Sequence, residues 1–109
     1  MIFIVAKFTV RPEYSDTWLE RVSAFTEATR QEPGTLWFEW SRSVEHAHQF
    51  ILIEAFRDAA AGAEHVHSDH FKTATRDLPP MLVDVPDIIN VEVEGTTWSK
   101  LAEMSLPAS

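Results

Sequence analysis

Three of the five histidines, His65, His67 and His70, fall within six residues of one another, beside Ser68 and Phe71. Histidine is the side chain whose ordinary pKa lies nearest neutrality, so proton transfer at physiological pH is to be sought here. Upstream, Glu54 interrupts the apolar run from Phe50 to Phe56. A carboxylate buried in such a run must be paired or protonated, because an isolated charge is costly to bury. Pairing Glu54 with His65 would hold the imidazole in one tautomer and stabilise its protonated form, the task of the third member of a catalytic relay. A structural ion pair to Arg57, Arg42 or Lys7 would satisfy the carboxylate equally well.

His65-x-His67-x-x-His70 also invites a metal reading, since imidazoles are common zinc ligands. On a continuous helix, however, His65 and His67 diverge by about 200°. His67 and His70 then lack a third ligand on their face, and no metal site is expected. Phe38, Trp40, Phe56, His70 and Phe71 are candidates to line an apolar pocket for a planar ring system, with His70 adding a polar contact. Asn90, the lone amide of the last apolar run, is a candidate to orient a substrate oxygen. Ordinary core packing, or for Asn90 an outward-facing position, explains each of these as well.

The elements that must position these residues follow from periodicity. Ile2 to Val10 is apolar and rich in β-branched and aromatic residues up to Arg11-Pro12, a strand and a break. Between Glu13 and Glu32, Tyr14, Trp18, Val22, Phe25 and Ala28 recur at helical spacing, predicting one amphipathic helix closed by Pro33-Gly34. Thr35 to Ser43 and Gln49 to Phe56 read as a hairpin joined by Val44 to His48. Asp58 is placed to cap a short helix from Ala59 to about Glu64, and a second helix runs from Ser68 to Leu78 before Pro79-Pro80. Asp87 to Glu94 is a last strand, with Gly95 at its exit. The order βαββαβ predicts an α+β, ferredoxin-like antiparallel sheet with its helices on one face, a single domain over residues 1–95. Residues 96–109 form a tail whose Trp98, Leu101, Met104 and Leu106 should dock on the domain or on a partner subunit.

Both faces of that sheet want burial. The first strand offers Ile2, Ile4, Ala6 and Phe8 on one side and Phe3 and Val5 on the other, and Ile51, Ile53 and Ala55 repeat the pattern. Two helices cover one side only, so a homodimer closing the other face is expected, with Trp37 at the interface.

Composition narrows the function classes. Seventeen acidic against nine basic residues give a formal charge of −8, so neither nucleic acid nor an anionic membrane is an expected partner. No cysteine means no disulfide and no thiolate chemistry, which fits a cytoplasmic protein. The apolar stretch Ile2 to Ala6 is too short to span a bilayer. With glycine only at Gly34, Gly62 and Gly95, there is no phosphate loop or dinucleotide fingerprint, and bound flavin or nicotinamide is not expected.

The string Glu32-Pro-Gly-Thr-Leu-Trp-Phe, then Phe50-Ile-Leu-Ile-Glu54, Asp58, and His65-x-x-Ser68-x-His70-Phe71 resembles the antibiotic biosynthesis monooxygenase family over roughly residues 1–95. The resemblance implies a dimeric α+β barrel with one pocket per subunit between sheet and helices. It also implies a small aromatic phenol or quinol and dioxygen as partners, no cofactor, and His65 as the base, which Glu54 would support through the pairing weighed above. Relatives of similar fold isomerise a phosphorylated ketone, degrade haem or have no known activity. An isomerase of a small carbonyl compound and a non-catalytic small-molecule binding protein are therefore the alternatives. Haem degradation is not expected, because the positions that would carry its asparagine, tryptophan and histidine hold Lys7, His65 and Thr75.

Overall fold

A computed structural model describes residues 1–108. Its strands are β1 (Ile2–Thr9), β2 (Thr35–Arg42), β3 (Gln49–Phe56) and β4 (Asp87–Glu92). They form one antiparallel sheet in the order β2-β3-β1-β4, the ferredoxin-like arrangement expected from the element order. Between β1 and β2 run α1 (Pro12–Ser15), α2 (Trp18–Arg21) and α3 (Ser23–Arg30), and α4 (Ala59–His67) and α5 (Asp69–Asp77) join β3 to β4.

The single helix expected from Glu13 to Glu32 is thus broken twice. Thr17 (φ −110°, ψ 1°) and Val22 (φ −93°, ψ 2°) leave helical torsions, although the bonds from Arg21 N–H to Thr17 and from Val22 N–H to Trp18 carry the chain across. Trp18 and Val22 are both fully buried, and the breaks re-aim the helix so that both enter one core cluster with Val10 and Phe50. Periodicity alone does not register such a bend.

Register fixes which residues share a face. On the helix side, Phe38, Glu54, Ile4 and Asn90 form one row across the four strands, and Trp40, Leu52, Ala6 and Ile88 form the next. The helices do not cover this face evenly. α3 packs on β2, burying Phe38, whereas Ile88 at the β4 edge remains 61% exposed.

The opposite face is largely apolar and half-buried, and is most exposed along β4. It carries Trp37, Phe3, Val5, Ile51 and Ile53, with Ile89 66% exposed on β4. Trp98 lays its ring 5.4 Å from that of Trp37 but is itself 71% exposed, and Leu101, Met104 and Leu106 bury little. The tail therefore touches the sheet through Trp98 without closing its face. Ser109, the last residue of the expected tail, lies outside the described residues. No helix among the described residues is long and apolar enough to cross a membrane.

Candidate active site

The site is assembled by two helix caps and one close approach. Asp58 accepts a hydrogen bond from Ala61 N–H at 2.9 Å and starts α4. Ala61 and His65, one turn apart, then share the face that turns toward the sheet, and both are buried. Ser68 ends α4 and caps α5: its hydroxyl donates to the His65 carbonyl at 2.6 Å and accepts from Phe71 N–H at 3.2 Å. The chain reverses there, and the His70 ring returns to within 6.0 Å of the His65 ring.

The close approach is at Gly34. A Cβ on Gly34 would overlap the Cβ of Ala61, so only glycine lets α4 settle on the turn that follows α3. That contact carries the carboxylate of Glu32, two residues earlier, to the histidines. His65 Nδ1 lies 2.9 Å from Glu32 Oε2, and His70 Nε2 reaches the same oxygen at 2.5 Å. Glu32 Oε1 is buried and has no hydrogen-bond partner among the described residues.

The second nitrogen of His65 faces the other way. Its Nε2 lies 3.8 Å from Glu54 Oε1, attractive in range but too long for a hydrogen bond. The expected Glu54–His65 relay is therefore corrected: the carboxylate bonded to the imidazole is Glu32, and Glu54 is a neighbour of the free nitrogen. None of the suggested cations pairs with Glu54 either. Arg57 meets Asp58 and Arg42 meets Asp16, while Lys7 has the parity of the opposite face. Left without a cation, the 7%-exposed Glu54 has its pKa pushed up to about 7, first by burial and then by the charge of Glu32. Burial also lowers the pKa of His65, against the opposing pull of its bond to Glu32 and with a small further lowering from His70.

A cavity of about 330 Å³ opens beside these groups, toward the uncovered β4 edge. Ile4, Phe25, Phe71, Glu54, His65 and Asn90 are among the residues on its wall. Among the described residues, none of those lining it is Lys or Arg. Of the side chains singled out in the sequence, His65, Glu54, Phe71 and Asn90 meet at this cavity. Phe38, Trp40, Phe56 and His70 do not line it, which corrects their expected place on the pocket wall. Phe38 is buried against Phe25 and Leu52, and Trp40 packs on Phe8 and Trp18 beneath the first helices. Phe56 lies in the core with its ring 4.9 Å from that of His65, and His70 stands behind Glu32.

Sequence reasoning missed Glu32 and Phe25 as neighbours of the site. The signal for Glu32 is its position ahead of Pro33-Gly34, at the head of the string that carries the family resemblance. His67 points outward and bonds the Ala63 carbonyl at 2.7 Å, so the three histidines do not converge. Glu32, His65 and His70 do bring one polar atom each within 4.8 Å of one another. Such a grouping has the donor set to hold a metal ion as well as to form the hydrogen bonds just described.

Comparison with known proteins agrees with this architecture. The chain is 24% identical over 93 residues to the Bacillus subtilis (strain 168) protein "Putative monooxygenase YcnE", covering 85% of this chain and 98% of that protein. A crystal structure described as an antibiotic biosynthesis monooxygenase superposes with a TM-score of 0.78 at 23% identity, over 87% of this chain and all of that one. A conserved protein from Methanosarcina mazei Go1 gives a TM-score of 0.79 at 25% identity, over 85% of this chain and 92% of that one. Residues 1–77 match the model of the family described as antibiotic biosynthesis monooxygenase, and the chain belongs to that family.

Proposed function

We propose that this protein is a homodimeric, cofactor-independent monooxygenase that converts a neutral aromatic phenol or quinol to a quinone, with His65 as base and Glu54 as a second proton-transfer group. The observation that carries the reading is an apolar cavity of small-molecule size whose wall holds a buried imidazole and a carboxyl with a pKa near 7. The absence of Lys and Arg from that wall favours a neutral ring system over an anionic substrate.

The chemistry needs two protons taken and two returned. His65, whose lowered pKa keeps it neutral at pH 7, takes the hydroxyl proton of the phenol through Nε2. The phenolate passes one electron to dioxygen, and the two radicals join at a ring carbon as a peroxide, which accepts a proton from His65. Loss of the hydrogen on that carbon as a proton, with cleavage of the O–O bond, leaves a second carbonyl on the ring. The departing oxygen collects its two hydrogens and leaves as water. Glu54, close to half protonated at neutrality, gives and takes the second proton. Asn90, on the same cross-strand row as Glu54 with Ile4 between them, donates from its amide to a second substrate oxygen. The homodimer covers the apolar face around Ile53, Phe3 and Trp37.

The test is oxygen uptake by the purified, metal-stripped protein over hydroquinones and polycyclic phenols, with His65→Ala alongside. Uptake by the native protein and its loss in the variant are expected. No uptake across the panel, or a His65→Ala variant that keeps most of the rate, would reject the assignment and direct the search to carbonyl isomerisation or ligand binding.

A further inference from the structure

We infer that Glu32, clamped by His70, is the positioning residue of this site: it holds His65 in the Nδ1–H tautomer so that the unprotonated Nε2 faces Glu54 and the cavity. The inference rests on the reading of His65 as the base and adds the groups that orient it.

Three geometric facts carry it. First, a carboxylate oxygen can only accept from an imidazole, so the 2.9 Å contact requires the proton of His65 to sit on Nδ1. A neutral imidazole then has its lone pair on Nε2, the nitrogen facing the cavity-lining carboxyl at 3.8 Å. Second, His70 reaches the same Glu32 oxygen from α5, so the carboxylate is gripped between two helices instead of hanging from the turn. Third, neither Glu32 nor His70 lines the cavity, so the two act through His65 and not on a bound molecule. When His65 takes a proton, the cation it becomes is bonded to a carboxylate shielded from water, which favours proton uptake at Nε2.

The titratable groups around the imidazole are Glu32 from the turn after α3, Glu54 from β3 and His70 from α5. Glu54 is the rival for the orienting role, and the test separates the two carboxyls. Ring nitrogen shifts of His65, measured by long-range proton–nitrogen correlation in the full-length labelled protein above pH 7.5, report the tautomer without any substrate. The native protein should show the Nδ1–H form. Glu32→Leu, which removes the acceptor, should move His65 to a mixed or Nε2–H form, whereas Glu54→Gln should leave the tautomer unchanged. In oxygen uptake, Glu32→Leu should lower kcat by roughly a hundredfold with KM changed less than about twofold, and Glu32→Gln, which keeps an acceptor, should restore part of the loss.

An Nε2–H form in the native protein would overturn the inference, and this spectrum decides even if Glu32→Leu fails to fold. So would a folded Glu32→Leu with an unchanged tautomer, or a tautomer that follows Glu54→Gln. A tautomer that follows Glu32 in a protein that consumes no oxygen would leave the positioning role standing and reject the proposed reaction alone.

Discussion

Glu54→Gln should make this protein more stable at pH 8 and change it little at pH 4. In the unfolded chain the carboxyl titrates near 4.5, and in the folded protein near 7. The folded pKa is the higher one, so the folded state binds the proton more tightly than the unfolded state between those values. The contribution of this group to stability is therefore fully present below about pH 4.5 and is lost as the pH rises through 7. A difference of about 2.5 units at 1.36 kcal/mol each amounts to roughly 3 kcal/mol between pH 4 and pH 8. Glutamine has the shape of the protonated acid and no charge to bury, so it escapes that loss.

Urea unfolding followed by tryptophan fluorescence, at one chain concentration from pH 4 to pH 9, measures the effect directly. The native-minus-variant difference should open between pH 4.5 and pH 7 and level off near 3 kcal/mol in favour of the variant. A difference that is flat with pH, or that opens in favour of the native protein, would refute the argument, since it would mean that the ionised carboxylate has found a compensating partner. The same substitution should abolish most turnover, placing a stability gain and an activity loss in one side chain.

Two further outcomes test the architecture. Gly34→Ala forces a methyl group into Ala61, and should cost about 1–3 kcal/mol in thermal or urea unfolding while loosening the Glu32–His65 contact; unaltered stability would show that α4 can retreat freely from the turn. Light scattering should give the native protein twice the 12.4 kDa chain mass, and Ile53→Glu, at the centre of the apolar sheet face, should return it to a monomer, whereas a monomeric native protein would leave that face without the proposed occupant.

What could be read from the sequence and what could not divides along physical lines. β3 follows from its apolar run, the cap Asp58 from its residue type, and the sheet order from the succession of elements, because each depends on local chemistry or on short-range periodicity, whereas Ser68, expected as the first helical residue, is the cap of α5. Phe38, Trp40 and Phe56 do lie on the helix side of the sheet, consistent with the alternation along their strands. Parity says nothing of which part of that face the helices cover. α3 lies over β2, so Phe38 and Trp40 became core, and the open space fell instead between β1, β4 and the last two helices. The role of Glu32 was hidden for a related reason: its partners are thirty-three and thirty-eight residues away, and no spacing rule spans that distance.

The turn at Glu32-Pro33-Gly34 is where stability and chemistry are joined. Proline stops α3, glycine removes the one Cβ that would hold α4 away, and glutamate then lies within bonding reach of two histidines from two other helices. Each residue would be unremarkable alone. Together they turn the docking of a helix into the orientation of an imidazole, so a substitution that disturbs the packing of α4 on the turn should also scramble the tautomer of His65. Gly34→Ala therefore has a second expected result in the nitrogen spectrum: a partial move of His65 away from the Nδ1–H form even though every acid–base group is still present. An unchanged tautomer in that variant would show that His70 alone suffices to keep Glu32 in place.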